Sequence, residues 1–147
     1  MILFGRQAHC ATCHKGRKMT DNKFHNLGVG MNQPQPDPGR FGVTHQVEDT
    51  GAFRTPSLHN LSQTGPYMHD GSLRTLEEVI DFYDRGGIAN PYLSPEMNPL
   101  DLSPQDKQDL LAFLRVLTTS DNLREIAALP GVQLPGERTP EPLLRLR

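Results

Sequence analysis

Two stretches of this chain carry apolar residues at helical spacing. Leu76, Val79, Ile80 and Tyr83 lie three and four apart, which puts them on one face of a helix and points Tyr83 inward. Thr75-Leu76-Glu77-Glu78 stands at its start as a capping box: the Thr75 oxygen accepts from the Glu78 N–H while Glu78 reaches back. Gly86-Gly87 supplies the stop. In the second stretch, Leu110, Leu111, Phe113, Leu114 and Leu117 form the stripe. Ser103 is its N-cap and Pro104 suits the first helical position. This helix is expected to end near Thr118 to Ser120. A weaker pattern of Leu3, Phe4 and Ala8 predicts a short helix within residues 2–13, interrupted by Gly5.

The remainder lacks period. Residues 20–40 are rich in Asn, Gly, Pro and Asp and contain QPQPDPG, a loop signature. A loop that long in a small domain is functional or wraps something. Residues 53–66 show no clear period and are interrupted by Pro56 and Pro66. Beyond Asn122 four prolines break the pattern; a helical turn fits residues 123–129, and the rest reads as a tail suited to lie on a partner. The expected organisation is a folded unit over residues 1–120 and a Pro-rich tail over 121–147.

Composition sharpens the picture. At 147 residues the chain is sized for one domain. Only 35% of it is hydrophobic, low for a compact domain, so something besides side chains is expected to fill the centre. The formal net charge of -2 gives no electrostatic case for nucleic acid or an anionic membrane surface. No apolar run reaches the length of a membrane span. The N-terminal MILFGRQAHC meets the first cysteine too early to hold a secretory signal.

Both cysteines sit in HCATCH, residues 9–14. One C-x-x-C pair is too few for a disulfide framework. A thioredoxin-like motif would follow a strand of a βαβ unit, and nothing upstream supplies one. A structural zinc site needs two further ligands; His9, His14, His25 and His45 are of the right type but at no characteristic spacing. The fourth reading is C-x-x-C-H, the c-type haem attachment sequence, here Cys10-Ala11-Thr12-Cys13-His14. Each thiol adds to one haem vinyl, and the adjacent imidazole binds the iron. A covalent haem also provides the apolar plate that the composition calls for.

The chain resembles the C-terminal haem domain of the bacterial di-haem cytochrome c peroxidase family, including its MauG-like branch. The resemblance rests on CATCHKG, TDNKFHNLGVG, FRTPSLHNLSQTGPYMHDGSLRTLEEVIDFYDRGG and LSPQDKQDLLAFLRVLT. It implies an all-α, cytochrome c-like fold with long irregular loops around one covalent haem. Cys10 and Cys13 would be the thioether anchors and His14 the proximal ligand. The position opposite, methionine in the peroxidase branch and an iron-ligating tyrosine in the MauG-like branch, is Tyr83 here. Thr64 and Pro66 match positions whose carbonyls help hold a calcium ion between two haem domains; calcium suits oxygen ligands, and the remaining protein ligand comes from the other domain. His59 stands where the family commonly has arginine, a change that weakens any propionate contact made there.

Met68, in PYMHDG, is the alternative to Tyr83, since methionine is a common axial ligand. Met19, Met31 and Met97 fall in loops with no spacing in their favour. His69 is expected near the haem edge or bonded to backbone, His25 near a propionate or as an ordinary loop histidine, and Asp70 as the cap of its turn. The resemblance implies an electron-transfer domain serving a peroxide-reactive haem in an N-terminal domain absent from this chain, with a redox partner protein and a periplasmic setting. It names no catalytic residue in this chain, which alone is not expected to turn over peroxide efficiently. The expectation is of a truncated chain or an internal start. A stand-alone mono-haem carrier is the alternative reading.

Overall fold

A computed structural model describes residues 2–118. The tail over 121–147, including the turn at 123–129, lies outside the described residues. Among the described residues three α-helices occur: α1 (Phe41–Thr44), α2 (Leu76–Asp84) and α3 (Pro104–Val116). One antiparallel ribbon pairs β1 (Phe24–His25) with β2 (Phe53–Arg54).

The ribbon corrects the all-α expectation. α-Helix is confined to three segments, and the loops expected at 20–40 and 53–66 each supply one strand. Two residues per strand are too few for an alternating pattern to register in sequence. The pairing puts Phe24 opposite Arg54 and His25 opposite Phe53. The Arg40 guanidinium lies 4.2 Å above the Phe24 ring, a cation–π contact that covers one face of the ribbon.

α2 and α3 follow their sequence signals. Thr75 Oγ1 accepts from Glu78 N at 3.2 Å, and Glu78 accepts in return from Thr75 N. Ser103 and Asp106 make the same reciprocal pair before α3. Each cap satisfies amides that have no partner within the helix. α3 runs to Val116, with Leu117 as its C-cap, slightly short of the expected end. Leu76, Ile80, Leu110 and Leu114 are buried in one core cluster. Lys107 of α3 reaches Asp81 at 2.8 Å and Asp84 at 2.6 Å, tying the outer side of α2 to α3.

The N-terminal helix divides in two. A π-helical turn spans Leu3–Gln7 and a 3₁₀ turn spans Cys10–Thr12. His9, left-handed at φ 51°, separates them. Phe4 is buried and meets Phe113 of α3 at 4.9 Å between ring centroids, so the two ends of the described chain cross.

Asn26 pins the irregular half and gave no signal in the sequence. It is 2% exposed. Its amide donates to the Thr50 carbonyl at 2.7 Å and exchanges bonds with the Asn90 side chain, and its oxygen accepts from Gly28 N at 2.7 Å. Gly28 has positive φ, and a Cβ there would collide with the Ile88 carbonyl. Three loops therefore meet on one amide. Asn26→Ala leaves a buried N–H and two carbonyl-type acceptors short of partners. The expected loss is about 3 kcal/mol, read as a lower denaturant midpoint at unchanged slope.

Candidate haem site

The core is hollow. A cavity of about 540 Å³ lies between the N-terminal turns, the ribbon, α2 and α3, within the span of roughly 300–1,000 Å³ typical of cofactor sites. Leu58, Val79, Ile80, Leu110 and Leu114 contribute apolar wall. Cys10, Cys13, His14, Tyr83, Met68, Thr64 and Pro66 all line this one space.

The 3₁₀ turn sets the cysteines. Its geometry carries His14 N to the Cys10 carbonyl at 2.9 Å, so both thiols and the His14 ring open on the cavity. Burial pushes the Cys10 thiol up to about 11, helped by the neighbouring Cys13. Burial also raises Cys13, as do Asp21 and Glu96, while Lys15 and Lys23 pull the other way. Protonated thiols are poor redox nucleophiles and poor metal ligands. A neutral thioether sulfur suits such a wall.

His14 is arranged as a metal ligand. Its Nδ1 lies 3.1 Å from the Met19 carbonyl; Nδ1–H is the donor, which leaves the Nε2 lone pair unprotonated. A second-shell carbonyl of this kind fixes both tautomer and ring plane. Burial lowers the His14 pKa, against the opposite pull of the Met19 and Pro56 carbonyls, favouring the neutral imidazole that binds metals.

Tyr83 projects from the last turn of α2. It is half-buried, and what surface it keeps lines the cavity. Burial raises its pKa strongly, with further contributions from Cys10 and Cys13. The hydroxyl is therefore neutral until a cation stands opposite it. Phe82, its neighbour, is buried on another side of α2 and meets the Tyr83 ring edge-on at 5.8 Å; the three-four pattern did not include it.

The methionines separate clearly. Met68 and Met97 line the cavity; Met19 and Met31 do not. Met19 instead supplies the carbonyl that holds His14. Thr64 Oγ1 donates to the Leu61 carbonyl, and the Gly65–Pro66 peptide is cis.

The histidines take distinct places. His69 stacks flat on Phe53, with centroids 3.6 Å apart and planes at 9°, in the cavity wall. His59 pairs its Nε2 with the Arg17 carbonyl at 2.7 Å and does not line the cavity. Arg54 is, among the described residues, the one Lys or Arg in that wall. Asp70 accepts from Ser72 N at 3.0 Å, the turn cap expected for it. His25 meets Asp21 at 3.1 Å and Cys13 Sγ at 3.6 Å, with Glu96 at 3.9 Å.

Cys13, Asp21 and His25 are, among the described residues, the one cluster whose ligand atoms converge. Cys10 is outside it, and so are His9, His14 and His45. The four-ligand zinc site weighed for the C-x-x-C pair is thus not assembled. Asp21 escaped notice in the sequence because an aspartate in a polar loop carries no pattern. Burial alone would raise its pKa, but hydrogen bonds from Lys23 N–H, His25 and Thr55 outweigh that and bring it down to about 2.

An apolar cavity lined by a C-x-x-C pair of thiols and the tautomer-fixed imidazole that follows them suits a c-type haem. The chain belongs to the cytochrome c family, whose model matches residues 3–118. Membership implies covalently bound haem c. It is similar to the cytochrome-c peroxidase IdrP1 of Pseudomonas sp. strain SCT, with 36% identity over 170 residues covering 97% of this chain and 44% of that protein. It is likewise similar to the methylamine utilization protein MauG of Methylorubrum extorquens, with 41% identity over 133 residues covering 90% of this chain and 36% of that one. Among solved structures, a MauG-like protein associated with microbial copper homeostasis superposes with a TM-score of 0.71 and 38% identity, over 80% of this chain and 45% of that chain. The chain spans less than half the length of each of these relatives. No helix among the described residues is long and apolar enough to cross a membrane.

Proposed function

We propose that this chain is the electron-transfer haem domain of a di-haem, MauG-like oxidoreductase, exchanging electrons or oxidising equivalents with a peroxide-reactive haem in a second domain. It would hold one haem c, anchored by Cys10 and Cys13, with His14 and Tyr83 as axial ligands. The observation that carries this reading is the convergence of those four side chains on one apolar cavity of about 540 Å³. The likeness to MauG and to cytochrome-c peroxidases supports the second domain and a periplasmic setting, where haem c is attached. Thr64 and Pro66 would offer carbonyls to a calcium ion shared with that domain.

Haem c supplies a one-electron iron couple whose potential follows its axial ligands. The chain's own residues do the rest. The Met19 carbonyl holds the His14 Nδ1 proton, so Nε2 stays available. Leu58, Val79 and Ile80 line the site with apolar surface, which lowers the local polarity and strengthens electrostatic contacts beside it. The Tyr83 hydroxyl gives up its proton only against a facing cation, and the resulting phenolate would favour oxidised iron.

The test is the haem content of the chain matured with the haem attachment machinery. The denatured protein is expected to retain one haem per chain by mass, and none in Cys10→Ala/Cys13→Ala. A denatured wild-type chain that releases all its haem into organic solvent would refute covalent attachment.

A further inference from the structure

The loop behind His14 carries an unusual charge. Lys15, Arg17, Lys18 and Lys23 lie within nine positions, against the single acid Asp21, in a chain whose net charge is -2. All four are exposed, and none is in an ion pair among the described residues. Asp21 is turned inward onto His25 and the Lys23 amide. Arg54, paired opposite Phe24 and exposed, adds a fifth cation beside Asn22 at 2.9 Å. Glu96 lies on the cavity side, 3.9 Å from His25.

These cations are not on a free-swinging loop. Thr20 N bonds the Lys15 carbonyl and Met19 N bonds the Gly16 carbonyl, both at 3.1 Å. His59 holds the Arg17 carbonyl and Thr20 Oγ1 holds the Thr55 carbonyl. Lys23 is fixed through its carbonyl to Thr55 N. The backbone that presents the charges is therefore set before any partner arrives, which lowers the ordering cost of association. The same loop supplies the Met19 carbonyl that accepts from His14 Nδ1. A protein seated on this surface stands one hydrogen bond from the proposed iron ligand.

We propose that the Lys15–Arg17–Lys18–Lys23 face, with Arg54 beside it, docks an acidic one-electron donor protein that feeds this domain through the His14 side. This rests on the haem reading above. One electron leaves the partner's metal centre, which is oxidised, and reduces the domain's iron; no proton or bond changes hands. Complementary charge steers such encounters and orients them, while leaving them brief.

The test uses the haem-loaded chain, isotope-labelled, titrated with zinc-substituted plastocyanin, an acidic copper protein made redox-inert. Amide shifts are expected to localise to residues 15–23 and 53–55. They are expected to vanish at high salt, where screening shortens to a few ångströms. Lys15→Glu/Arg17→Glu/Lys18→Glu is expected to weaken binding about tenfold or more. The milder Lys15→Gln/Arg17→Gln/Lys18→Gln guards against misfolding and is expected to weaken it less. Arg6→Glu/Arg74→Glu/Arg85→Glu, which alters net charge equally on other exposed positions, is expected to leave binding within twofold. Equal losses in both charge-reversed variants, shifts centred elsewhere, or no binding at low salt would overturn the docking surface. A chain that carries no haem under maturation would instead sink the functional reading on which it stands.

Discussion

Tyr83→Phe is expected to convert the ferric haem protein from a low-spin to a high-spin electron paramagnetic resonance signal. Met68→Leu and Met97→Leu are expected to leave the low-spin signal in place. The argument begins with the helix register. The Thr75–Glu78 box fixes where α2 starts, and from that start Val79, Ile80 and Tyr83 reach the cavity wall. Phenylalanine preserves the ring and its edge contact with Phe82 while removing the one oxygen that could meet a metal. Packing therefore changes little, and a change of spin state isolates the hydroxyl. Loss of an anionic ligand removes its preference for oxidised iron, so the reduction potential should rise in the same variant. If Met68→Leu or Met97→Leu abolishes the low-spin signal while Tyr83→Phe preserves it, the sixth ligand is methionine. Both lie in the wall, and Met97 is a rival that the sequence alone did not single out.

The haem-free chain, obtained as Cys10→Ala/Cys13→Ala, is expected to lose its fixed tertiary structure. The cavity occupies about 540 Å³. Left unfilled, a void of that size deprives its apolar lining of packing partners and exposes it to water, each unfilled part of the core costing stability. The whole stability of a domain is only about 5–15 kcal/mol. The remaining apolar core, in which Phe4 meets Phe113 and Leu76, Leu110 and Leu114 share one cluster, is too small to offset that. The expected signature is retained far-ultraviolet but flattened near-ultraviolet circular dichroism, with dye-binding apolar surface. A cooperative thermal transition in the double variant, close to that of the haem-loaded chain, would count against a haem-filled core.

What could be read from the sequence was what repeats locally. The capping boxes at Thr75 and Ser103 and the stripes behind them specify two helices through contacts within a few residues, and both helices stand where those signals put them. The C-x-x-C-H spacing is equally local, and the turn that carries it brings Cys10, Cys13 and His14 to one wall. The place of Tyr83 in the cavity wall was legible because the helix period puts it on the inward face of α2. The ribbon was not. Phe24–His25 and Phe53–Arg54 are joined across nearly thirty positions by a two-residue register, and an all-α fold was the wrong expectation for that reason. Asn26, Asp21 and the Phe53–His69 stack were hidden likewise. Each depends on a partner distant in sequence, and a single polar residue in a loop has no period to betray it. The split of the N-terminal helix at His9 is a third case: nothing in HCATCH marks a left-handed residue.

The Lys107 bridge has a bearing on rate as well as on stability. Its ammonium grips Asp81 and Asp84, the residues two before and one after Tyr83. The turn that carries the phenol is thus tied to α3, and Asp84 is further held by the Leu102 amide at 2.9 Å. Electron exchange is fast when the atoms around a metal barely shift between oxidation states. If Tyr83 faces His14 across a haem, as proposed, one ligand is backed by the Met19 carbonyl and the other stands on a turn tied by the Lys107 ammonium. Small nuclear rearrangement would then be a property of the scaffold, set in place before an electron arrives.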